Sequence, residues 1–354
     1  MNLFPLAALP DLKAVPSPFW LLTALHLLTF VLHLVAMASL VGGVLVVLAD
    51  RSPDRWSRPA VRRLLALFPV LMAATVSLGV APLLFLQLSY GKVAYSAAIT
   101  SGPFWFLVPF LAMAAYACFY AASHRPAGDA GAGPRLVLGF AFLMAVSLVY
   151  SSTFSLAEHP DAYARLYKES ASGLVLNPDV ATWGPRWLQA VAGAAALGAF
   201  VTRLVARDDD ALRTKSSHVL SVAVVAAGLA GAMRFTDAAF RHALDLVGGL
   251  AYLASLMLPF PAAAICHAAT RRRTGLRGRE WAAGSLLVVG LVASVIARHV
   301  ARLAMLSGTF DPAAPTVRPQ WDVFALFVVC LLAAVATMAW MLRVWFAKNA
   351  PRTE

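Results

Sequence analysis

Charged residues are scarce in this sequence. Asp, Glu, Lys and Arg together make up 13% of the 354 residues, whereas hydrophobic residues make up 60% and the mean hydropathy is +0.74. So few polar side chains cannot cover the surface of a water-soluble globule of this length. We therefore expect an integral membrane protein of all-α fold, with residues 1–354 forming a single transmembrane helical domain.

Cysteine is also rare, and its spacing excludes several kinds of site. Cys118, Cys266 and Cys330 each lie alone within an apolar run, with no CxxC, CxxCH or Cys/His zinc spacing. This argues against covalent haem attachment, a thiolate metal centre and a disulfide framework. The sequence also lacks a P-loop, a GxGxxG that opens a helix and a GxSxG turn. Any metal or cofactor chemistry must therefore come from the histidines.

Apolar windows of about 20 residues recur along the chain and predict transmembrane helices. The first 18 residues lack a basic leader. The first apolar run is also too long for the core of a signal peptide, so we expect it to span the membrane. The nine predicted helices lie near 19–49, 62–90, 103–123, 135–156, 183–206, 217–236, 245–268, 281–306 and 320–346.

The basic residues predict the orientation. Of the 29 Lys and Arg residues, 19 fall at five places, which are Arg51 to Arg63, Arg125 to Arg135, Arg203 to Lys215, Arg271 to Arg279 and the tail from Arg343. Nine helices with the N-terminus outside place all five on the cytoplasmic side, as the positive-inside rule requires. The net charge of +12 then belongs to a cytoplasmic rim, for which we expect membrane lipid as the partner and no nucleic acid.

Two histidines lie within the first predicted span. His26 and His33 are seven positions apart, so at about 100° and about 1.5 Å per residue they occupy nearly the same helix face, some 10 Å apart along the axis. An ionisable side chain inside a membrane is costly and is a functional hypothesis by default. The alternative interpretation is a core histidine that is hydrogen-bonded to a neighbouring helix.

One further histidine lies inside a span. His299 is about two turns from the outer end of the eighth predicted helix, between Arg298 and Arg302, and at the depth of His26. Imidazole ligates haem iron and guanidinium groups pair with carboxylates, so this combination is typical of a b-type haem site. The remaining histidines are expected at the cytoplasmic rim or in outer loops, and they are His124, His159, His218, His242 and His267.

Several segments resemble subunit I of cytochrome bd quinol oxidases. "LTALHLLTFVLHLVAMASLVGG" is similar to the first helix of that family, in which a histidine at the place of His26 is an axial haem ligand. "SLGVAPLLFLQLSYG" resembles its GVATG and EFQFG motifs, "SLAEHPDAY" its WMQHPVG turn, "GLVLNPDVA" the NP before its fifth helix, and "HVARLAMLSG" its ExGRQPW motif. The resemblance follows the chain in order and implies nine helices with an outside N-terminus in a bacterial cytoplasmic (inner) membrane.

The departures from that family limit the implied function. A glutamate of the family's second helix aligns with Gln87 in this chain, which we expect to contact the cofactor. Where the family has a glutamate on its third helix, this chain has only apolar residues, around Val108 and Pro109. The ligands of the low-spin haem align with Gln189 and fall near Leu246. The quinol loop is shortened to "RFTDAAFRHALD". We therefore expect no low-spin haem and no proton route in the family manner, and a role for quinone is open.

The resemblance also implies that part of the family's haem site is retained in this chain. His26 matches the family's haem ligand and Arg302 its motif arginine, while the glutamate ligand is replaced by His299. Two arrangements follow. His26 and His299 either share one iron, or each holds its own iron with His33 completing a coordination sphere, so that one or two haems b are expected. Arg298 and Arg302 would pair with the propionates.

These observations predict a b-type haem subunit that transfers electrons within a respiratory or electron-transfer complex. The expected partners are a c-type cytochrome or another redox subunit, and a second membrane subunit. As an enzyme, an electron-transfer oxidoreductase subunit is favoured over a complete quinol oxidase. The alternatives are a divergent bd-type terminal oxidase subunit that reduces oxygen and a haem-free structural membrane subunit.

Overall fold

The computed structural model describes residues 14–170, 172–271 and 277–348. Most of the first 18 residues, in which no basic leader is predicted, lie outside these ranges. Part of the basic segment 271–279 and the end of the tail also lie outside them. The helices are α1 (Phe19–Ala49), α2 (Pro59–Ile99), α3 (Gly102–Ser123), α4 (Ala132–Ala157), α5 (Pro160–Glu169), α6 (Val180–Val205), α7 (Asp210–Met233), α8 (Ala238–Ala243), α9 (Leu246–Met257), α10 (Pro259–Arg271), α11 (Arg277–Leu306) and α12 (Trp321–Lys348).

The predicted membrane spans are confirmed. In the described part of the chain, nine helical stretches are long and apolar enough to cross a membrane. The seventh is made of α9 and α10, which are separated at Leu258, and the sixth is α7 with a following 3-10 turn over Arg234–Thr236. The short helices α5 and α8 lie between spans and were not predicted. The all-α membrane fold is therefore the one expected from hydropathy.

The second helix is longer than predicted. We expected it to end at residue 90, and the backbone of Tyr90 does leave helical geometry there, with φ −131° and ψ 16°. The chain then resumes helical geometry and α2 continues to Ile99. Pro82 lies two turns before this kink and lacks the N–H that a helix interior needs, which weakens the helix locally. The predicted boundary thus marks a kink within one helix.

Helices α1 and α6 cross at very short distance because both carry glycine at the crossing. A Cβ atom on Gly198 would lie 1.8 Å from the carbonyl oxygen of Ala38, and one on Gly42 would lie 2.5 Å from the backbone of Ala199. No side chain fits there, so the two backbones pack directly against each other. The largest apolar cluster of the described residues surrounds this crossing, in the half of the bundle toward the basic loops.

The last helix is held at its outer end. Ala14 and Val15 pair as a two-residue parallel strand, β1, with Thr316 and Val317, β2, just before α12 begins. Below this pairing, the ring of Phe327 on α12 meets Phe85 of α2 edge to face at 4.9 Å. The most apolar stretch of α12 buries none of its residues within the chain, which leaves that helix at the periphery of the bundle.

Candidate cofactor site

His26 is buried between α1 and α2, with 8% of its surface exposed. Its Nδ1 atom lies 3.0 Å from the carbonyl oxygen of Pro82. Because a carbonyl oxygen only accepts, Nδ1 must carry the proton and Nε2 keeps its lone pair. Metal-binding histidines commonly donate their second ring N–H to a backbone carbonyl in this way. This hydrogen bond leaves Nε2 as the ring nitrogen of His26 that could ligate a metal.

His33 makes the same contact two turns deeper in α1. Its Nδ1 atom lies 2.9 Å from the carbonyl oxygen of Thr75 on α2. Gly79 provides the space for this ring, since a Cβ atom there would lie 3.0 Å from it. Phe30 lies between the two histidines, with ring centroids 5.7 Å from His26 and 6.3 Å from His33. The two imidazoles are therefore separated by a phenyl ring.

His299 on α11 faces the outer end of α1. Its ring centroid lies 6.5 Å from that of Phe19, the first residue of α1. Its Nδ1 atom is buried and has no hydrogen-bond partner among the described residues. In the same part of the chain, no hydrogen bond or ring contact joins His299 to His26, although the two are close enough to interact electrostatically.

Arg298 and Arg302 extend from α11 to aromatic rings of α1 and α2. The guanidinium of Arg298 lies 5.4 Å above the ring of Phe30, beside His26, and its Nε atom is buried without a hydrogen-bond partner in the described structure. The guanidinium of Arg302 lies 5.2 Å above the ring of Tyr90. Stacking on an aromatic face is favourable for a desolvated guanidinium. Both arginines are thus held next to the histidine rings.

A buried carboxylate joins Arg302 to a third arginine. Glu158, immediately after α4, accepts a hydrogen bond of 3.2 Å from Nε of Arg302 and one of 2.5 Å from Nη1 of Arg186 on α6. Glu158 is 4% exposed, Arg302 5% and Arg186 9%. We call Glu158, Arg186, Arg298 and Arg302 the outer arginine cluster. It connects three spans at the end of the bundle that the basic residues assign to the outside.

The outer arginine cluster contains more positive than negative charge. Burial alone would raise the pKa of the Glu158 carboxyl, but the nearby charges of Arg186, Arg302 and Arg298 lower that pKa to about 2. Glu158 is therefore an anion at any physiological pH. One carboxylate balances only one of the three guanidinium groups, and buried charge is costly unless it is paired. The cluster is thus suited to hold a further anionic group.

The structure brings together some of the predicted site residues and leaves others apart. His26, His299, Arg298 and Arg302 meet at the boundary of α1 and α11, whereas His33 lies deeper, beyond Phe30. Gln87 is half-buried on α2, between Pro82 and the kink at Tyr90. In the described ranges, no group of three or more His, Cys, Asp or Glu side chains could hold a bare metal ion.

Gln189 and Leu246, which lie at or near the positions of the family's low-spin haem ligands, are in surroundings unlike a haem site. The carbonyl oxygen of the Gln189 side chain accepts a hydrogen bond of 3.2 Å from the Tyr252 hydroxyl. That hydroxyl also approaches the Gly231 carbonyl at 2.9 Å. Leu246 is 79% exposed at the start of α9. Gln189 thus belongs to a hydrogen-bonded contact between α6, α7 and α9.

Sequence reasoning missed three residues of the site. Glu158, Arg186 and Tyr90 were not predicted to take part, although the two charged residues have a signal in the sequence. Glu158 ends a long apolar run directly before "HP", and Arg186 lies within the apolar stretch of the fifth span. A charge at such a position requires a partner inside the protein. The structure provides that partner by pairing the two residues.

The comparisons with known proteins concern the fold. No family model and no curated protein matches the sequence. Among solved structures, the chain is similar to a chain of the bd oxidase from Geobacillus thermodenitrificans, with a TM-score of 0.64 and 15% sequence identity over 94% of this chain and 99% of that one. This chain has a bd-oxidase-like fold. The likeness extends over nearly the whole length of both chains, as the order of the sequence motifs predicted.

Proposed function

We propose that this chain is a b-type haem subunit of a membrane electron-transfer complex, with His26 and His299 as the residues that would hold one haem. The observation that carries the proposal is the orientation of His26. Its Nδ1–H is donated to Pro82 at 3.0 Å, which leaves Nε2 as the ligand atom in a buried position beside the outer arginine cluster. The haem would supply reversible one-electron transfer.

The outer arginine cluster fits the other end of such a group. A b-type haem has anionic propionates, and the cluster has two guanidinium charges that Glu158 does not balance. Arg298 has a buried Nε atom without a partner among the described residues, and a carboxylate would satisfy it. Arg298 and Arg302 would therefore hold the propionates, while the stacking on Phe30 and Tyr90 would keep both guanidinium groups in place.

We assign His33 a structural role within this proposal. Its ring is separated from that of His26 by Phe30, with centroid distances of 5.7 Å and 6.3 Å on the two sides. Two imidazoles on one iron would each have to place a nitrogen about 2 Å from the metal. This arrangement supports the proposal that His33 and His26 do not share an iron. Its hydrogen bond to Thr75 fixes α1 against α2 near mid-bilayer.

Electron transfer is favoured over oxygen reduction. Both His26 and His299 would hold the haem iron through imidazole, which suits a group that passes electrons on. Helices α2 and α3 contain no Asp or Glu, and proton delivery through a membrane requires titratable side chains. Histidines near the outer end would hold the haem close to a partner on that side, for which a c-type cytochrome, another redox subunit or quinone is suitable.

The first test is the haem content of the detergent-purified protein expressed with sufficient haem. We expect one haem b per chain by the pyridine haemochrome assay, and an unchanged spectrum when CO is added to the reduced protein. A colourless protein would contradict the haem assignment. A CO-shifted spectrum together with oxygen consumption would instead favour the divergent terminal oxidase.

A haem-free structural subunit is the second candidate. The observation that favours it is that His26 and His33 both donate Nδ1–H to carbonyl oxygens of α2, at 3.0 Å and 2.9 Å. A core histidine with no ligand makes the same kind of bond. In this case the purified chain would be colourless, and replacing His26 would lower its thermal stability without any spectral change.

A further inference from the structure

Glu158 occupies a position in which a single acid contacts two helices besides its own. Its Oε2 atom is 2.5 Å from Nη1 of Arg186 on α6, and its Oε1 atom is 3.2 Å from Nε of Arg302 on α11. Both carboxylate oxygens are therefore used, Oε2 by α6 and Oε1 by α11, and Oε1 also accepts a longer hydrogen bond of 3.4 Å from Nη2 of Arg186. The side chain is 4% exposed, so water cannot replace either contact.

Both arginines depend on the Glu158 carboxylate for their charge balance. Arg186 and Arg302 carry like charges in a buried position, and without Glu158 they would repel each other while remaining unpaired. Removing one partner of a buried ion pair is strongly unfavourable for the partner that remains. Arg302 would keep only its stacking on Tyr90, at 5.2 Å. Glu158 thus determines where the Arg302 guanidinium lies.

Glu158 also sets the charge of the whole site. With Glu158 ionised, the outer arginine cluster carries a net charge of about +2, and with a neutral side chain at this position it would carry about +3. Reduction adds one electron to a group bound between His26 and His299. Each additional positive charge nearby stabilises the reduced form, and a buried site transmits this effect more strongly than water does.

We infer that Glu158 is a positioning residue that orients Arg302 and acts as a fixed negative charge that lowers the midpoint potential of the bound haem. The inference rests on the proposed function, because it assumes a redox group at His26 and His299. It goes further by naming the residue that tunes this group, which lies outside the ligand shell and has no counterpart among the ligands predicted from the sequence.

The test compares variants of the full-length chain by spectroelectrochemical titration at pH 7. Glu158→Gln keeps the shape and removes the charge. We expect it to shift the midpoint potential in the positive direction by an amount on the order of a tenfold change in the reduction equilibrium, or about 59 mV for one electron. Glu158→Asp keeps the charge with a shorter reach and should shift the potential less. Glu169→Gln, which changes an exposed acid of α5, should leave it unchanged.

A compensating variant separates charge from structural damage. Glu158→Gln combined with Arg186→Gln returns the net charge of the cluster to about +2 and removes one of the two arginines that would be left unpaired. We expect this double variant to fold even where Glu158→Gln alone is unstable, and to have a potential close to that of the wild type. A merely structural role for Glu158 would not predict such a return.

The possible failures can be told apart because the haem content of the wild type is measured first. Wild-type protein without haem would overturn the proposed function. Wild-type protein with haem, together with an unchanged midpoint potential in both Glu158→Gln and the double variant, would overturn the role of Glu158 and leave the haem assignment intact. A positive shift in Glu158→Gln that the double variant reverses would support the inference.

Discussion

The imidazole of His26 donates its Nδ1–H to the carbonyl oxygen of Pro82 across 3.0 Å. This bond joins α1 to α2, fixes the tautomer and leaves Nε2 free for a metal. The same contact would serve a histidine that only joins two helices. The surroundings of His26 distinguish the two roles. Around a single carboxylate, Arg186 and Arg302 are buried and Arg298 is half-buried. His299 also has a buried Nδ1 atom without a partner among the described residues.

Replacing His33 should affect stability but not the haem. His33→Leu keeps a side chain of similar size in the space beside Gly79 and removes the hydrogen bond to Thr75. We expect wild-type haem content and absorption maxima, with a loss of about 1 kcal/mol of stability, which is typical for one hydrogen bond. Haem quantification and thermal unfolding in detergent measure the two effects. Loss of haem would show that His33 is a ligand.

The crossing of α1 and α6 should not tolerate any side chain at Gly198. A Cβ atom there would lie 1.8 Å from the Ala38 carbonyl oxygen, so Gly198→Ala must push the two helices apart. We expect a destabilisation of at least about 2 kcal/mol, at the upper end of overpacking effects. Gly193→Ala is the matched control on the same helix, because nothing lies within 4 Å of its Cβ position.

The unfolding temperatures of the two glycine variants decide this prediction. Gly193→Ala should unfold at or slightly above the wild-type temperature, since alanine favours helix. Equal unfolding temperatures for Gly198→Ala and the wild type would mean that α1 and α6 do not cross as closely as described.

Acid should weaken the outer arginine cluster only well below physiological pH. Burial would raise the pKa of Glu158, but Arg186, Arg302 and Arg298 lower it from 4.5 to about 2. A lowered pKa in the folded state means that the stabilisation is complete above about pH 4.5 and is lost as the pH falls through about 2. The stability difference between wild type and Glu158→Gln isolates this group, because contributions of the other carboxylates cancel.

Thermal unfolding of both proteins across pH 2 to 7 measures that difference. We expect it to be constant from pH 7 to about pH 5 and to shrink below about pH 4.5. A difference that already shrinks near pH 6 would place the pKa of Glu158 above its ordinary value and would contradict the pairing with Arg186 and Arg302.

The spans and the candidate ligands could be predicted from local sequence patterns. Hydropathy windows and basic loops depend on neighbouring residues, so the number of spans and the positions of His26 and His299 could be recognised directly. The pairs around Glu158 could not, because they join residues 28 and 144 positions apart. The continuation of α2 beyond Tyr90 was missed for a different reason, since a kink and a helix end have similar sequence signals.

The contact of α1 with α6 also could not be predicted from the sequence. Gly42 and Gly198 are two of 22 glycines, and nothing in their neighbourhood distinguishes them from glycines that face open space. Only the packing of two distant segments shows that the absence of a side chain is needed at both positions.

The central claim is that His26 and His299 together hold one haem b. The most direct measurement is the pyridine haemochrome content of purified wild type, His26→Ala, His299→Ala and His242→Ala, with His242 as an exposed histidine at the same end of the bundle. We predict one haem per chain in wild type and His242→Ala, and loss of haem or a changed spectrum in the other two. Equal content and identical spectra in all four proteins would contradict the account.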